Sequence, residues 1–303
     1  MTADVRKINA DLHCHSRYSD GQLEPAELVR RARANGVELL ALTDHDELDG
    51  IDEAIAAAAD IGLPFVPGVE VSVTWGGETV HIVGLRVDHR HPELVAGVER
   101  TRAGRDLRAR EMGMALAAVG IPDAYEGALR HVGNPALVSR THFARHLFER
   151  GVCRQVSDVF RRFLVEGKPG FVPHSWARLD DAVGWIRAAG GVAVLAHPGR
   201  YRLGAVARRA LLEEFRGAGG AALEVLSASH DASQSRELAR SAEALGMMAS
   251  RGSDFHAPSE SRVELGALPD LPAEVTPVWH DWPEARLAAE LKLGAPPGVA
   301  SRS

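Results

Sequence analysis

The sequence predicts an α/β fold built on a largely parallel sheet. Seven short apolar or β-branched segments alternate with helical patterns, which is typical of βα units. The chain has 303 residues, close to the size of a single α/β barrel of about 250 residues. Between residues 91 and 173 the alternation stops and only helical patterns occur. We therefore expect one barrel with a helical insertion that covers one of its ends.

The strands and helices follow from local patterns. One of the helical patterns, LEPAELVRRARANG, has Pro25 near its start and Gly36 just after its end, as helices commonly do. DGIDEAIAAAADIG and DASQSRELARSAEALG are two further helices. The predicted strands are NADLH (9–13), VELLALT (37–43), LPFVPGVEVSV (63–73), TVHIVGLRV (79–87), GVAVLAH (191–197), ALEVLS (222–227) and MMASRGSD (247–254).

The insertion differs from the rest of the chain in charge. Residues 91–173 contain 13 Lys+Arg and 9 Asp+Glu, a net charge of +4, whereas the remainder carries −10. A basic segment on an acidic body indicates contact with an anion, although a solvated helical surface has the same composition. We expect a barrel domain at 1–90 and 174–295, a helical cap at 91–173, and a flexible Gly/Pro/Ser-rich tail at 296–303.

Composition excludes several classes of protein. The chain is 45% hydrophobic and 25% charged, as ordinary globular proteins are. MTADVRKINA lacks the apolar region of a signal peptide, and no apolar run approaches the roughly 18 residues of a membrane span. Cys14 and Cys153, without a CxxC motif, argue against a disulfide scaffold or a cysteine metal site. We expect a cytoplasmic enzyme that needs no membrane and no obligate protein partner.

Histidines and carboxylates follow most of the predicted strands. In ADLHCHSRYSDG, His13 and His15 share one strand face while Cys14 points away toward the helices. Each polar residue, taken alone, could have a purely structural role, such as a core histidine for His81 or helix capping for Asp254. Their coincidence is harder to dismiss, because barrel enzymes build active sites where several strands end. The candidate metal ligands are His13, His15, Asp20, His45, Glu70, His81, His197, Asp254 and His256.

Six histidines, three carboxylates and no thiolate form a ligand set for Mn²⁺, Fe²⁺ or Zn²⁺. Nine ligands are too many for one ion and suit two or three. Divalent ions at such spacing lower the pKa of a shared water and hold the oxygens of a phosphoryl group.

The motifs DLHCHSRYSDG, LALTDHD, PGVEVS, HIVGL, AVLAHPGRY and GSDFH resemble those of the PHP (polymerase and histidinol phosphatase) family of metal-dependent phosphoesterases. The resemblance implies a distorted (β/α)₇ barrel of the TIM type. SRTHFARHL and FLVEGKPGFVP are similar to the insertion of one subgroup. This subgroup contains the nucleoside 3′,5′-bisphosphate phosphatases and the 5′-to-3′ exoribonuclease RNase AM.

The resemblance also implies how ions would be shared, with Mn²⁺ as the expected metal. His13, His15, Glu70 and Asp254 would hold one ion, Asp20, His45 and His256 a second, and Glu70, His81 and His197 a third. Hydroxide between the first two ions would be the nucleophile, oriented by Asp20 or passing a proton to it. The leaving oxygen would take its proton from a metal-bound water or from His142. Asp44 either orients a ligating histidine or caps a turn.

Substrate contacts are expected from positive groups near these strand ends. Ser139 and Arg140 begin the helix SRTHFARHL, where a helix N-terminus favours phosphate. Lys168 and Arg200 are further phosphate contacts, against the alternative of ordinary surface charge for each. We expect Arg102 and Arg145 to be solvated.

The predicted activity is hydrolysis at the 5′ side of nucleoside 3′,5′-bisphosphates such as pAp, and removal of 5′ nucleotides from short 5′-phosphorylated RNA. One alternative is a small-metabolite phosphatase of the histidinol phosphate type, which has no need of a basic insertion. An alternative from another class is a non-catalytic nucleotide sensor. Loss of metal ligands would mark such a sensor, and none of the nine positions is substituted.

Overall fold

The computed structural model describes residues 4–294, so the predicted tail at 296–303 lies outside the described residues. Within them, seven strands form one sheet in chain order, and each predicted segment overlaps one of these strands. The strands are β1 (Ala10–Asp11), β2 (Leu39–Leu42), β3 (Phe65–Trp75), β4 (Glu78–Leu85), β5 (Val192–Leu195), β6 (Ala222–Ser227) and β7 (Met248–Gly252).

The sheet is parallel except at β4, which runs antiparallel to both of its neighbours. β3 and β4 are joined by a turn at Gly76 and Gly77, whose φ values of 58° and 86° suit the tight turn of a hairpin. A parallel connection would need a crossover of a dozen residues or more. The expectation of a largely parallel sheet is therefore confirmed with one reversed strand.

The sheet closes almost completely on itself, because β1 and β7 meet. Backbone hydrogen bonds join Leu12 N to Arg251 O (3.1 Å), Asp254 N to His13 O (2.9 Å) and His15 N to Phe255 O (2.8 Å). The predicted distorted (β/α)₇ barrel is thus confirmed. Closure brings the residues that follow the first strand next to those that follow the last.

Helices cover the barrel from outside. α1 and α2 pack around Cys14, whose side chain is buried among Leu28, Leu40 and Phe255, so the expectation that Cys14 faces the helical layer is confirmed. Pro25 is the first residue of α1 and Gly36, with φ of 83°, follows its end. The helices are α1 (Pro25–Ala34), α2 (Ile51–Asp60), α3 (Pro92–Arg102), α4 (Arg105–Ala117), α5 (Ala124–Leu129), α6 (Arg140–Glu149), α7 (Val156–Val159), α8 (Leu179–Ala188), α9 (Ala205–Ala218), α10 (Ala232–Leu245) and α11 (Pro283–Gly294).

The insertion at 91–173 contains helices and no strand, as expected. α4 to α7 enclose a small core of their own, which includes Met112, Phe143 and Leu147. α3 behaves differently, because its Leu94 and Val98 pack in the core of the barrel. Within the insertion, α3 thus packs with the barrel and the helices from α4 onward pack with one another, while the domain bounds remain a prediction. The helical pattern of the sequence does not reveal that α3 packs against the barrel while α4 packs within the insertion.

Among the described residues, no helix combines the length and the apolar character that crossing a membrane requires.

Candidate metal centre

Four of the predicted ligands converge where the barrel closes. The Nε2 atoms of His13 and His15 lie 3.1 Å apart, and each lies between 3.1 and 3.6 Å from Oε2 of Glu70 and from Oδ1 of Asp254. Ligand atoms at about 2.1 Å from one ion are separated by about 3.0–3.4 Å in octahedral or tetrahedral geometry. The spacing of these four atoms matches ligands of a single ion.

Glu70 also faces a second set of histidines. Its Oε2 lies 3.0 Å from His45 Nδ1, and its Oε1 lies 2.9 Å from His81 Nδ1 and 3.0 Å from His197 Nε2. His81 reaches this place from the beginning of β4 and not from its end. Because β4 is reversed, its first residues lie at the edge where the parallel strands finish. Glu70 can therefore bridge two ions.

A third group surrounds Asp20. Its Oδ1 lies 3.2 Å from His256 Nε2 and 4.0 Å from His45 Nε2. His15 also offers an atom to this group, while the group around Glu70 and His81 includes His45. The nine predicted ligands thus come together in one cluster. His15 and His45 each belong to two of the groups, whereas one group was predicted for each. Their assignment to individual ions remains a prediction.

The donor set fits divalent metal ions. Burial by itself would raise the pKa of Asp20, Glu70 and Asp254, but neighbouring histidines hold the pKa of all three carboxyls well below the usual range. Three ionised carboxylates buried together need compensating cations. Moreover, buried atoms such as Asp20 Oδ1, Glu70 Oε2 and His81 Nδ1 have no hydrogen-bond partner in the described structure. Their nearest polar neighbours are other predicted ligands, so an ion among them would give each of these atoms a partner.

Glu224 orients two of the ligands, and sequence reasoning missed it. This buried carboxylate in β6 lies 2.6 Å from His13 Nδ1 through Oε1 and accepts a hydrogen bond from the backbone N of His197 through Oε2 (2.6 Å). The contact directs His13 Nε2 toward the cluster. A glutamate in the middle of the apolar strand ALEVLS was the available signal, since a buried carboxylate needs a partner.

Asp44 stabilises the loop at Ser16 and Ser19. Within the described residues, it forms no hydrogen bond with a histidine. It accepts hydrogen bonds from Ser16 N (2.7 Å), Ser16 Oγ (2.6 Å) and Ser19 Oγ (2.6 Å). These bonds fix the segment that leads to Asp20. Of the two explanations considered for Asp44, the geometry favours the turn.

The cap touches the cluster through the beginning of α6. Thr141 Oγ1 donates to Asp20 Oδ2 (2.9 Å), and Ser139 Oγ lies 3.5 Å from the same atom. Arg145 donates to the backbone oxygen of Asp20 and pairs with Glu260, both at 2.8 Å. The expectation that Arg145 is solvated is wrong, because its side chain is 4% exposed. Thr141 was not predicted.

Arg102 was also expected to be solvated, and this is wrong too. Its Nη1 donates to Oε2 of the buried Glu47 (2.5 Å), which also accepts from Asn134 (3.0 Å). Both arginines meet their carboxylates across long sequence separations, so local sequence does not reveal these pairs.

His142 is a helix-capping residue in this geometry. Its Nδ1 accepts a hydrogen bond from Ser139 N (3.0 Å), and burial lowers its pKa to about 3. A neutral imidazole at physiological pH carries no extra proton to give. The structure therefore does not support His142 as the proton donor.

Four arginines lie beside the cluster. Arg200 Nη1 is 3.5 Å from Asp254 Oδ2. Arg140 is close to Arg200 and Arg105, and burial together with these two charges lowers its pKa. Arg108 is 8% exposed. Burial, then Arg140 and Arg105, lowers the pKa of Arg108 to about 9. Arg105 and Arg108 were missed, since both are in a segment that looked like an ordinary helix.

The described carboxylates neutralise the charge of these four arginines only in part. Arg105 pairs with Asp46, but neither Arg108 nor Arg140 forms an ion pair within the described residues. Clustered buried cations favour a bound anion. Lys168 is exposed in a turn of the cap, and no described contact joins its side chain to this cluster.

Comparison with known proteins agrees with the geometry. The PHP domain model matches residues 11–125. A 3′,5′-nucleoside bisphosphate phosphatase of Chromobacterium violaceum is 52% identical over 279 residues, which is 92% of this chain and 98% of that protein. This chain belongs to the PHP family. The 5′-3′ exoribonuclease Rnm of Escherichia coli is 39% identical over 285 residues, 93% of this chain and 97% of that PHP relative.

Two solved structures share the fold. One from C. violaceum, described as an amidohydrolase with bound sulfate and no metal, has a TM-score of 0.89 and 52% identity and covers 92% of this chain and 96% of its own. A proposed metal-dependent phosphoesterase from Bifidobacterium adolescentis has a TM-score of 0.77 and 28% identity, with 89% and 93% covered. The predicted PHP membership is confirmed, and the protein is a hydrolase of phosphate esters.

Proposed function

We propose that this PHP protein hydrolyses nucleoside 3′,5′-bisphosphates and removes nucleotides stepwise from the 5′ end of short RNA. Removal of a 5′ nucleotide breaks the phosphodiester on the 3′ side of that nucleotide, so the expected cleavage at the 5′ phosphate does not fit it. The ligand cluster would instead hold the 3′ phosphate, which is terminal in a bisphosphate and esterified to the next nucleotide in RNA, and the arginines would hold the 5′ phosphate. One site can then serve both substrates. Relatives named as a bisphosphate phosphatase and as 5′-3′ exoribonucleases, each matched over nearly the whole chain, support the proposal.

The nine clustered side chains would hold two or three divalent ions, with Mn²⁺ suited to their nitrogen and oxygen atoms. When bound, such ions supply Lewis-acid stabilisation of the phosphoryl group and lower the pKa of a water molecule. Thr141 fixes Asp20 through Oδ2, which leaves Oδ1 directed into the cluster. We assign Asp20 Oδ1 as the acceptor that orients the attacking water.

The observation that carries the substrate assignment is Arg108. Burying a guanidinium without a carboxylate is unfavourable unless an anion joins it. Arg108 lies close enough to Arg140 to lower its own pKa, and Arg140 lies beside Arg200, which reaches the ligand Asp254. The site therefore offers two places for phosphate, one at the ligand cluster and one on the arginines. A phosphomonoester such as histidinol phosphate has no second group for the arginines.

The test is an assay of the Mn²⁺-loaded protein with adenosine 3′,5′-bisphosphate, AMP, histidinol phosphate and a 5′-phosphorylated RNA pentamer. We expect turnover of the bisphosphate and the pentamer. We expect kcat/KM for AMP to be roughly 10- to 100-fold lower, since AMP has one phosphate and loses the charged hydrogen bonds to the arginines when that phosphate lies at the cluster. Turnover of AMP without turnover of the bisphosphate would refute the 3′-phosphate assignment. Preference for histidinol phosphate would favour the metabolite phosphatase.

The metal assignment has its own control. His13→Ala should abolish activity, whereas His280→Ala, at a histidine outside the cluster with a side chain 43% exposed, should leave activity unchanged. Full activity of His13→Ala would contradict the ligand assignment.

A further inference from the structure

The hydroxyl group of Tyr201 lies within the hydrogen-bond ladder between β4 and β5. These strands are antiparallel with Ile82 opposite Leu195, so His81 lies opposite Ala196. Hydrogen-bonded partners of an antiparallel pair normally exchange two backbone bonds. Ala196 N donates to His81 O (3.0 Å), but His81 N donates to the Tyr201 hydroxyl (2.8 Å), which in turn donates to Ala196 O (2.8 Å). The hydroxyl therefore replaces the second backbone bond of this pair.

This pair carries two of the predicted metal ligands. His81 is itself one of them, and His197 directly follows Ala196 in the chain. His81 Nδ1 and His197 Nε2 lie 2.9 and 3.0 Å from the same atom, Oε1 of Glu70. Tyr201 thus joins the two backbone segments from which both imidazoles extend.

His197 has a left-handed backbone, with φ of 30° and ψ of 54°. A residue other than glycine keeps such a conformation only where the surrounding structure holds it. The peptide between Ala196 and His197 is held at both of its polar atoms, since its oxygen accepts from Tyr201 and its N–H donates to Glu224 Oε2 (2.6 Å). The Tyr201 ring also meets the His197 ring edge-on, with 5.6 Å between the ring centres. Tyr201 therefore helps to fix the direction of the His197 side chain.

The short loop between His197 and Tyr201 is held from its other side as well. Gly199 N donates to His230 Nε2 (3.1 Å), and Gly199 O accepts from Gln234 Nε2 (2.8 Å). A Cβ atom at position 199 would lie 2.7 Å from the His230 ring, so glycine permits this close approach. The loop is thus fixed to α10 and its adjoining segment, and it returns the Tyr201 hydroxyl to the strand pair.

We propose that Tyr201 is a positioning residue of the metal centre, whose hydroxyl sets the spacing of His81 and His197. It thereby sets the affinity of the ion that these two histidines would hold together with Glu70. The inference rests on the ligand assignment of the proposed function and is independent of the substrates. Within the described residues, Tyr201 forms no hydrogen bond with the ligands of the other two groups. The effect is therefore expected at one ion and not at the whole cluster.

Removal of the hydroxyl leaves His81 N and Ala196 O without their partner. These two groups then either meet directly, which draws β4 toward β5, or bind a water molecule that no covalent bond fixes to the loop. Both outcomes release the spacing of His81 and His197. Outer partners of ligating histidines typically contribute 10–100-fold in metal affinity.

The experiment measures the number of bound Mn²⁺ ions and their dissociation constants by equilibrium dialysis of full-length proteins. His197→Ala identifies the ion in question, because it removes one of that ion's ligands. Tyr201→Phe keeps the ring that packs against the core of the barrel. We expect it to weaken the same ion about 10- to 100-fold and to leave the other ions unchanged. In the His197→Ala background, Tyr201→Phe should weaken Mn²⁺ binding no further, because the ion on which it acts is already lost.

The matched control is Tyr125→Phe, which removes a hydroxyl that donates to Asp106 within the cap. This variant should bind Mn²⁺ as the wild type does.

Wild-type affinity for every ion in Tyr201→Phe would overturn the positioning role while the ligand assignment stands. An equal weakening of all ions, or a further loss in the double variant, would show a general structural role for Tyr201 and would overturn the inference too. If the wild-type protein binds no Mn²⁺, or no more than His197→Ala binds, the ligand assignment itself fails and the inference fails with it. Substrate turnover does not enter the measurement, so an error in the proposed substrates leaves the result intact.

Discussion

Glu224→Gln replaces one carboxylate oxygen with an NH₂ group and changes almost no volume, so it tests the geometry of the metal centre directly. The Glu224 carboxylate forms hydrogen bonds with two neighbours, His13 and His197. The backbone N–H of His197 needs an acceptor, and His13 Nδ1 must keep its proton for Nε2 to face the cluster as a free donor atom. A carboxylate accepts from both, whereas an amide has only one accepting atom.

Either orientation of the amide is unfavourable. If its NH₂ group faces His197, two donors meet in a buried place, which costs about 1–3 kcal/mol of folding stability. If its NH₂ group faces His13, the ring must accept at Nδ1 and carries its proton on Nε2, where a metal would bind. Outer partners of ligating histidines typically contribute 10–100-fold in metal affinity, about 1.4–2.7 kcal/mol.

The assay is competition for Mn²⁺ with a chelator, together with thermal unfolding in the absence of metal. We expect weaker metal affinity, a lower Tm or both for Glu224→Gln. The exposed Glu243→Gln in α10 should match the wild type in both measurements. Wild-type metal affinity and wild-type Tm in Glu224→Gln would refute the assigned role of Glu224.

Two more substitutions separate structural from functional roles. His142→Gln keeps a capping side chain at that position of α6, so kcat should be retained; a large loss would restore the proton-donor hypothesis. Because burial lowers the pKa of His142 to about 3 from 6.5, its stability contribution is complete above pH 6.5 and is lost as pH falls toward 3. This loss is up to about 1.4 kcal/mol per pH unit, and urea unfolding should show a flatter dependence in the variant. Arg108→Met removes a buried cation without an acidic partner, so Tm should rise while kcat/KM for the 3′,5′-bisphosphate falls roughly 10- to 100-fold. A lower Tm with unchanged kcat/KM would contradict the anion site.

Several residues needed the folded chain before they could be recognised. His81 was a candidate ligand, but its apolar strand alone fits a core histidine equally well, and only the reversal of β4 brings it to the edge where the other ligands lie. Arg145 looked like a surface residue of a helix, yet it pairs with Glu260 across 115 positions of sequence. Periodicity describes which face of an element is apolar, but not which distant element covers a polar side chain.

The sequence by itself determined the seven strands, the helical insertion and the nine side chains of the cluster. These are local matters: strand patterns are short, and parallel strands bring their ends to one edge by rule. Only the tertiary structure decided that Glu224 supports His13, that Arg108 and Arg140 converge beside Arg200, and that Tyr201 joins His81 to Ala196. Those contacts join elements far apart in the chain, and packing, not local pattern, selects them.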